Sequence, residues 1–293
     1  MNAIHNTDQL QVDATALIVE QLKQFETTGK APKWLQPWNA NGSFSWPVNL
    51  DGTFYSGINV FVLLALQEKF GFPSATWGTY KAYQAQDAQV QKGERAAKIF
   101  FYKSLVINAK DEQGQLKLGD DEQPEQLKIP LLKSFCVFNI TQTDLEPTVI
   151  EPPSEDFQGL DDVFNAVDIR HGANAAYYDR QGDFVRMPYL EQFEHEASYW
   201  VVLAHEIIHW TGAPIRLDRQ KGKAFGDEDY AQEELIAELG SVMLLAHFGI
   251  QPCFQSSVYI NGWIRSLEAD HKLIFKIAAQ AQRAVNFFLE DSK

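Results

Sequence analysis

The stretch Ser198–Thr211, SYWVVLAHEIIHWT, places two histidines four residues apart with a glutamate directly after the first: His205, Glu206 and His209. Positions i and i+4 of an α-helix lie on one face, a turn apart, so the two imidazoles can close on one metal ion while Glu206 projects beside them. This is the HExxH pattern. Neutral imidazole ligates a borderline-soft divalent cation, an open coordination position holds water, and an adjacent carboxylate can take that water's proton. Val201, Val202, Leu203, Ile207 and Ile208 supply an apolar face. The spacing therefore predicts a helix packed on a core, with its histidines turned into a cleft.

Such a zinc site needs a third protein ligand. Tyr230–Leu245, YAQEELIAELGSVMLL, reads as a second helix; Glu234 lies 25 residues after His209, and Glu238 is one turn further on. One carboxylate can ligate the metal while the other accepts a hydrogen bond from a ligand imidazole and fixes its tautomer. We expect Glu234 as the ligand and Glu238 behind an imidazole. The plainer alternative makes Glu233, Glu234 and Glu238 a solvated acidic face.

At 293 residues the chain has room for two domains with proper cores, and 45% hydrophobic with 22% charged residues is the composition of a globular protein. No apolar run is long enough to span a membrane, and the opening MNAIHNTDQLQVDA lacks a basic-then-apolar signal pattern. A cytoplasmic protein without a membrane partner is expected. Cys136 and Cys253 fit neither a disulfide framework nor a zinc ribbon, and we expect both as buried thiols. The net charge of −14 is uneven: residues 1–145 hold 13 Lys+Arg against 15 Asp+Glu, and residues 146–293 hold 12 against 24. Without the polar stretch 108–126, the N-terminal half holds 11 basic against 9 acidic residues. That balance permits a phosphate backbone as partner but does not by itself announce one.

Residues 10–29 read as an amphipathic helix and 60–70 as a second. Between them lies a Pro-, Gly- and Asn-rich loop that carries Trp34, Trp38 and Trp46 beside Lys33. Aromatic rings with basic neighbours are the ingredients of a single-strand stacking platform, because every base offers a π-face. Most rings in an irregular loop, however, are expected to pin it to the core. Residues 76–86 add Trp77, Tyr80 and Lys81 on a turn and short helix, and Arg95 precedes a strand through Ile99–Tyr102. The polar stretch 108–126 is expected as an exposed hairpin loop, followed by a strand over Lys128–Ile140. The acidic, Pro-rich stretch around 146–159 reads as a linker, dividing the chain into 1–145 and 160–293. Beyond it, 169–178 and 184–187 read as strands around the turn DRQGD, and 259–289 as one long helical run. A strand edge beside a zincin-type metal can bind substrate backbone as an added strand.

The chain resembles the plasmid antirestriction proteins of the ArdC type, whose N-terminal domain also precedes some conjugative primases. In the first half the resemblance rests on Pro37–Trp38, FYSGIN at Phe54–Asn59, Trp77, Thr79 and KGER at Lys92–Arg95. In the second it rests on RMP at Arg186–Pro188, AHEIIHWTG at Ala204–Gly212, Arg216–Arg219 and EELIAELGS at Glu233–Ser241. It implies an α+β chain of two domains, a single-stranded-DNA-binding domain and a zincin-like metallopeptidase domain with the HExxH helix. It implies His205, His209 and Glu234 as ligands of zinc or manganese, Glu206 as the catalytic carboxylate, and protection of plasmid DNA entering a recipient cell. The protein substrate would be a component of host restriction or a DNA-bound protein. An oxyanion donor is expected from Tyr177, Tyr178 or Tyr230. Two other readings stay open: a coat for single-stranded DNA with a structural or vestigial metal, and a peptidase acting on one host protein without DNA.

Overall fold

The structure, a computed structural model, describes residues 2–35, 46–109, 114–117, 123–147, 157–219, 228–250 and 260–291. It is an α+β chain. Its N-terminal half contains helices α1 (Asn2–Thr28) and α2 (Ile58–Phe70), the short strand β1 (Trp77–Gly78), helix α3 (Tyr80–Gln84), and the long strands β2 (Ala97–Asn108) and β3 (Gln126–Asn139). The C-terminal half runs α4 (Phe157–Phe164), β4 (Ile169–His171), β5 (Tyr177–Asp179), β6 (Phe184–Met187), α5 (Glu196–Thr211), α6 (Glu228–His247), α7 (Ile260–Ala269) and α8 (Leu273–Asp291). No helix among the described residues is long and apolar enough to cross a membrane.

The first sheet has the order β1-β3-β2 and is antiparallel throughout. β2 and β3 form one ribbon, paired from Ala97 with Val137 to Asn108 with Gln126. Its root is clamped by Asn59, whose side-chain amide donates to the Phe100 carbonyl and accepts from the Phe100 N–H, both at 2.7 Å. The second sheet has the order β4-β6-β5, with β4 parallel and β5 antiparallel to β6. The single strand expected over 169–178 is therefore two strands. Gly172, at φ 96, lies just past β4, in backbone that a side chain rarely adopts, and lets the chain cross to the far side of β6.

One apolar core runs through both halves, from Ile18, Leu22 and Phe61 through Ile207 and Ile208 to Ile274 and Phe288. α1 lies against α7, with the Thr15 hydroxyl donating to the His271 carbonyl at 2.6 Å and Lys23 paired with Glu268. Phe100 of β2 meets Phe275 of α8 edge-to-face, ring centroids 4.8 Å apart. The expected linker lies mostly outside the described residues. The helical run expected over 259–289 is two helices. The Asp270 carboxylate accepts the Lys272 amide at 2.8 Å and its carbonyl accepts the Leu273 amide, which opens a new helix in place of continuing the old one. Cys136 is exposed, because its strand overhangs the core; Cys253 lies outside the described residues.

Candidate metal centre

α5 is the helix that the HExxH spacing predicts, with Glu196 in its first turn, where a carboxylate complements the helix dipole. Tyr199, Trp200, Leu203, Ala204, Ile207 and Ile208 are buried along it. Two arginines in the following loop secure its last carbonyls: Arg216 donates to Trp210 at 2.7 Å and Arg219 to Ile208 at 2.6 Å. Arg216 also lies over the Trp210 ring and pairs with Asp183 at the β5–β6 turn, so it ties the small sheet to the helix. α6 packs on α5, with Gly240 set against Ile208. A methyl group there would meet three side-chain carbons of Ile208 at 3.0 Å.

This packing brings His205, His209 and Glu234 together, with one ligand atom from each lying within 4.8 Å of the others. The two Nε2 atoms are 3.2 Å apart, and each is 3.5 Å from an oxygen of Glu234. Ligand atoms about 2.05 Å from a tetrahedral ion sit about 3.3 Å from one another, so these three fit one cation. The opposite ring nitrogens are engaged: Nδ1 of His205 lies 3.4 Å from Glu238 and Nδ1 of His209 lies 3.4 Å from Glu233. Each carboxylate favours a proton on Nδ1 and leaves the Nε2 lone pair facing the centre. Arg219 in turn holds Glu233, at 3.1 Å.

Glu206 stands outside the triad. Its Oε2 accepts the backbone N–H of Tyr178 at 2.9 Å, so the outward edge of β5 faces this carboxylate. Electrostatics also favour a cation. Burial works against charge on His205, yet hydrogen bonds with Glu234 and Glu238 hold its pKa well above the ordinary imidazole value. Burial likewise raises Glu233, but the His209 hydrogen bond and the Arg219 charge outweigh it and hold the carboxyl at about 2. Four carboxylates gather here around one guanidinium, and a divalent ion complements that excess.

The three tyrosines separate. Tyr178 points its hydroxyl away from the centre, donating to Asp183 at 2.8 Å and accepting from Arg216 at 3.1 Å. Burial and the Asp183 bond push its pKa up to about 12. That hydroxyl is committed to the β5–β6 turn, which removes it as an oxyanion donor. Tyr177 alternates to the opposite face of β5 and is exposed. Tyr230 lies beside the centre, where its hydroxyl bonds to Glu234; burial raises that carboxyl's pKa, but His205 and His209, with a smaller part from Tyr230, hold it below the ordinary value.

A family model described as zincin-like metallopeptidase matches residues 160–280, and one described as the N-terminal domain of anti-restriction factor ArdC matches residues 8–138. The crystal structure of the antirestriction ArdC protein from the R388 plasmid superposes with a TM-score of 0.75 at 35% identity, over 95% of this chain and 97% of that one. The chain belongs to the ArdC antirestriction family. An Mn(II)-bound structure of the same ArdC matches equally, at 34% identity and a TM-score of 0.75, over 96% and 97% of the two chains. An uncharacterized protein of Sinorhizobium fredii, y4eC, is 33% identical over 96% of this chain and 93% of its own length. The DNA primase TraC of Escherichia coli is 35% identical over 93% of this chain but only 26% of the primase, so this ArdC-type chain spans about a quarter of it.

Within the part matched by the ArdC N-terminal model, the aromatic candidates divide by burial. Trp34, Trp46 and Trp77 are buried: Trp34 packs edge-on against Phe61, and Trp77 against Phe72. A ring with no open face cannot stack on a base, which corrects the expectation for these three. Trp38 lies outside the described residues. Tyr80 and Lys81 are exposed on α3, Lys33 is half-buried with its amide bonded to Glu68, and Arg95 is exposed at the rim of a cavity of about 600 Å³. The sequence reading missed Glu233, Arg219 and the Tyr178 amide at the metal centre. The adjacency of Glu233 to Glu234 was a signal for the first; nothing local signals the other two.

Proposed function

We propose that this chain binds single-stranded DNA through its N-terminal half and hydrolyses a peptide bond at the His205, His209, Glu234 centre, protecting plasmid DNA that enters a recipient cell. The observation that carries the peptidase reading is Glu206. It is close to the triad, free of it, and oriented by the Tyr178 N–H, where a purely structural metal would have no use for it. His205, His209 and Glu234 would hold zinc or, as in the manganese-bound relative, manganese, which supplies Lewis-acid charge and a readily ionised water. Glu206 takes the proton of the attacking water and returns it to the leaving amine. Glu238 and Glu233 keep both imidazoles in the ligating tautomer. An extended substrate adds along the edge of β5, which places its backbone across Glu206. Tyr230 donates to the developing oxyanion; its hydrogen bond to Glu234 supports this role.

The test is Glu206→Gln. Titration of the metal-free protein with zinc or manganese should still give one bound ion per chain, while cleavage of an unfolded protein such as casein, followed by the appearance of new amino termini, should disappear. Cleavage undiminished in the variant would overturn the role of Glu206. A metal-loaded wild-type chain that cleaves nothing, with or without an oligonucleotide, would support the DNA coat instead.

A further inference from the structure

The β2–β3 ribbon outruns the core that supports its root. Phe100 and Val137 are buried and Ala97 is half-buried, but Phe101 is 54% exposed, Tyr102 51% and Phe135 46%. The pairing register sorts them. Ile99 faces Phe135 and Phe101 faces Lys133, so Phe101, Phe135 and Lys133 share one face, while Tyr102 and Lys98 occupy the other. Phe101 and Phe135 meet edge-on with centroids 6.3 Å apart, each keeping exposed surface beside an exposed lysine. The charge is equally marked. The two strands contain four lysines, Lys98, Lys103, Lys128 and Lys133, and no acidic residue, in a chain of net charge −14.

We propose that the Phe101, Phe135 and Lys133 face of this ribbon is a stacking surface for single-stranded nucleic acid. This rests on the DNA reading of the N-terminal half and gives it a location that the buried tryptophans cannot supply. A strand of net-basic sequence with exposed rings complements a polyanion whose bases are unpaired: the rings take base faces, and lysines take phosphates. A protein partner would not need the exclusion of acidic residues from both strands. Duplex DNA fits poorly, because its base faces are already stacked.

The experiment uses the full chain and a fluorescent polythymidine oligonucleotide, titrated at several salt concentrations. Phe101→Ala combined with Phe135→Ala should weaken binding about 10- to 100-fold. Lys133→Gln should reduce the slope of log affinity against log salt by about 0.7. Phe101→Leu should weaken binding while Phe101→Trp preserves it, which separates stacking from mere apolarity, and Tyr102→Ala on the opposite face should bind as wild type. Thermal unfolding of each variant should match wild type, since these side chains are exposed. Binding and salt slope unchanged in all ribbon variants, with wild type binding the oligonucleotide, would overturn this proposal alone. A wild-type chain that binds no single strand at any salt would overturn the DNA reading with it. Concentration-dependent self-association lost in the double variant, with DNA binding intact, would make the face a contact between copies and overturn the proposal.

Discussion

Glu233 shows how much one residue beside a ligand can carry. It is buried, accepts from Arg219 and from the His209 ring, and belongs to the same turn of α6 as Glu234. Glu233→Gln keeps its shape but removes the charge that orients His209, so metal affinity should fall about 10- to 100-fold, read by competition with a chelating dye. Arg219, itself buried, is then left without its counter-charge, and breaking such a pair costs about 3–5 kcal/mol. The same variant should therefore also melt at a lower temperature. Asp183 offers a test by pH. Arg216, with help from Tyr178, holds its pKa below the usual 3.8 against the opposing effect of desolvation. A carboxyl depressed on folding contributes stability above the unfolded value and loses it as pH falls through the folded one. Asp183→Asn should lower the melting temperature at neutral pH, and the difference from wild type should shrink as pH drops below about 4. A gap that widens in acid would contradict the Arg216 pairing.

At the scale of elements, the centre depends on how closely α5 and α6 approach. Glycine is a poor helix former, yet Gly240 lies inside α6 where Ile208 leaves no room for a side chain. Gly240→Val should separate the helices, costing about 1–3 kcal/mol and drawing Glu234 away from the histidines. Both the melting temperature and the metal affinity should fall, and adding Ile208→Ala should recover part of each. A valine variant with unchanged metal affinity would show that the triad does not depend on this contact. The i, i+4 rule, which holds within one helix, made His205 with His209 and Glu234 with Glu238 legible in advance. It could not say which faces of two helices meet, so Glu233, one position off the expected row, was given no role at the centre.

For the whole molecule, the division at 146–159 suggested by composition meets a core that does not divide there. α1 packs against α7, and Phe100 against Phe275, so cutting the chain at that boundary would expose apolar surface on both pieces. The full chain should unfold in one transition by calorimetry, with calorimetric and van't Hoff enthalpies in agreement. Two well-separated transitions would show that the halves are independent. Isolated residues 1–145 should accordingly be less stable than the same half within the full chain.

Features that depend on neighbours along the chain were determined by the sequence itself: the HExxH helix, the glutamate-bearing helix after it, the strands on either side of the polar stretch, and the uneven charge. Periodicity is a local property, and a helix or strand states it in each turn or pair of residues. Burial is not local. Trp34 and Trp77 sit in segments whose composition allows a surface platform or a core anchor, and they are interior because Phe61 covers the one, and β3 together with nearby Phe72 covers the other. Phe101 and Phe135 lie in strands whose apolar sequence does not say which face is covered, and they are exposed because, among the described residues, no such partner covers them. Which rings are hidden, which carboxylate stands behind which imidazole, and which strand edge meets Glu206 were decided by tertiary structure, since each depends on contacts between residues far apart in sequence.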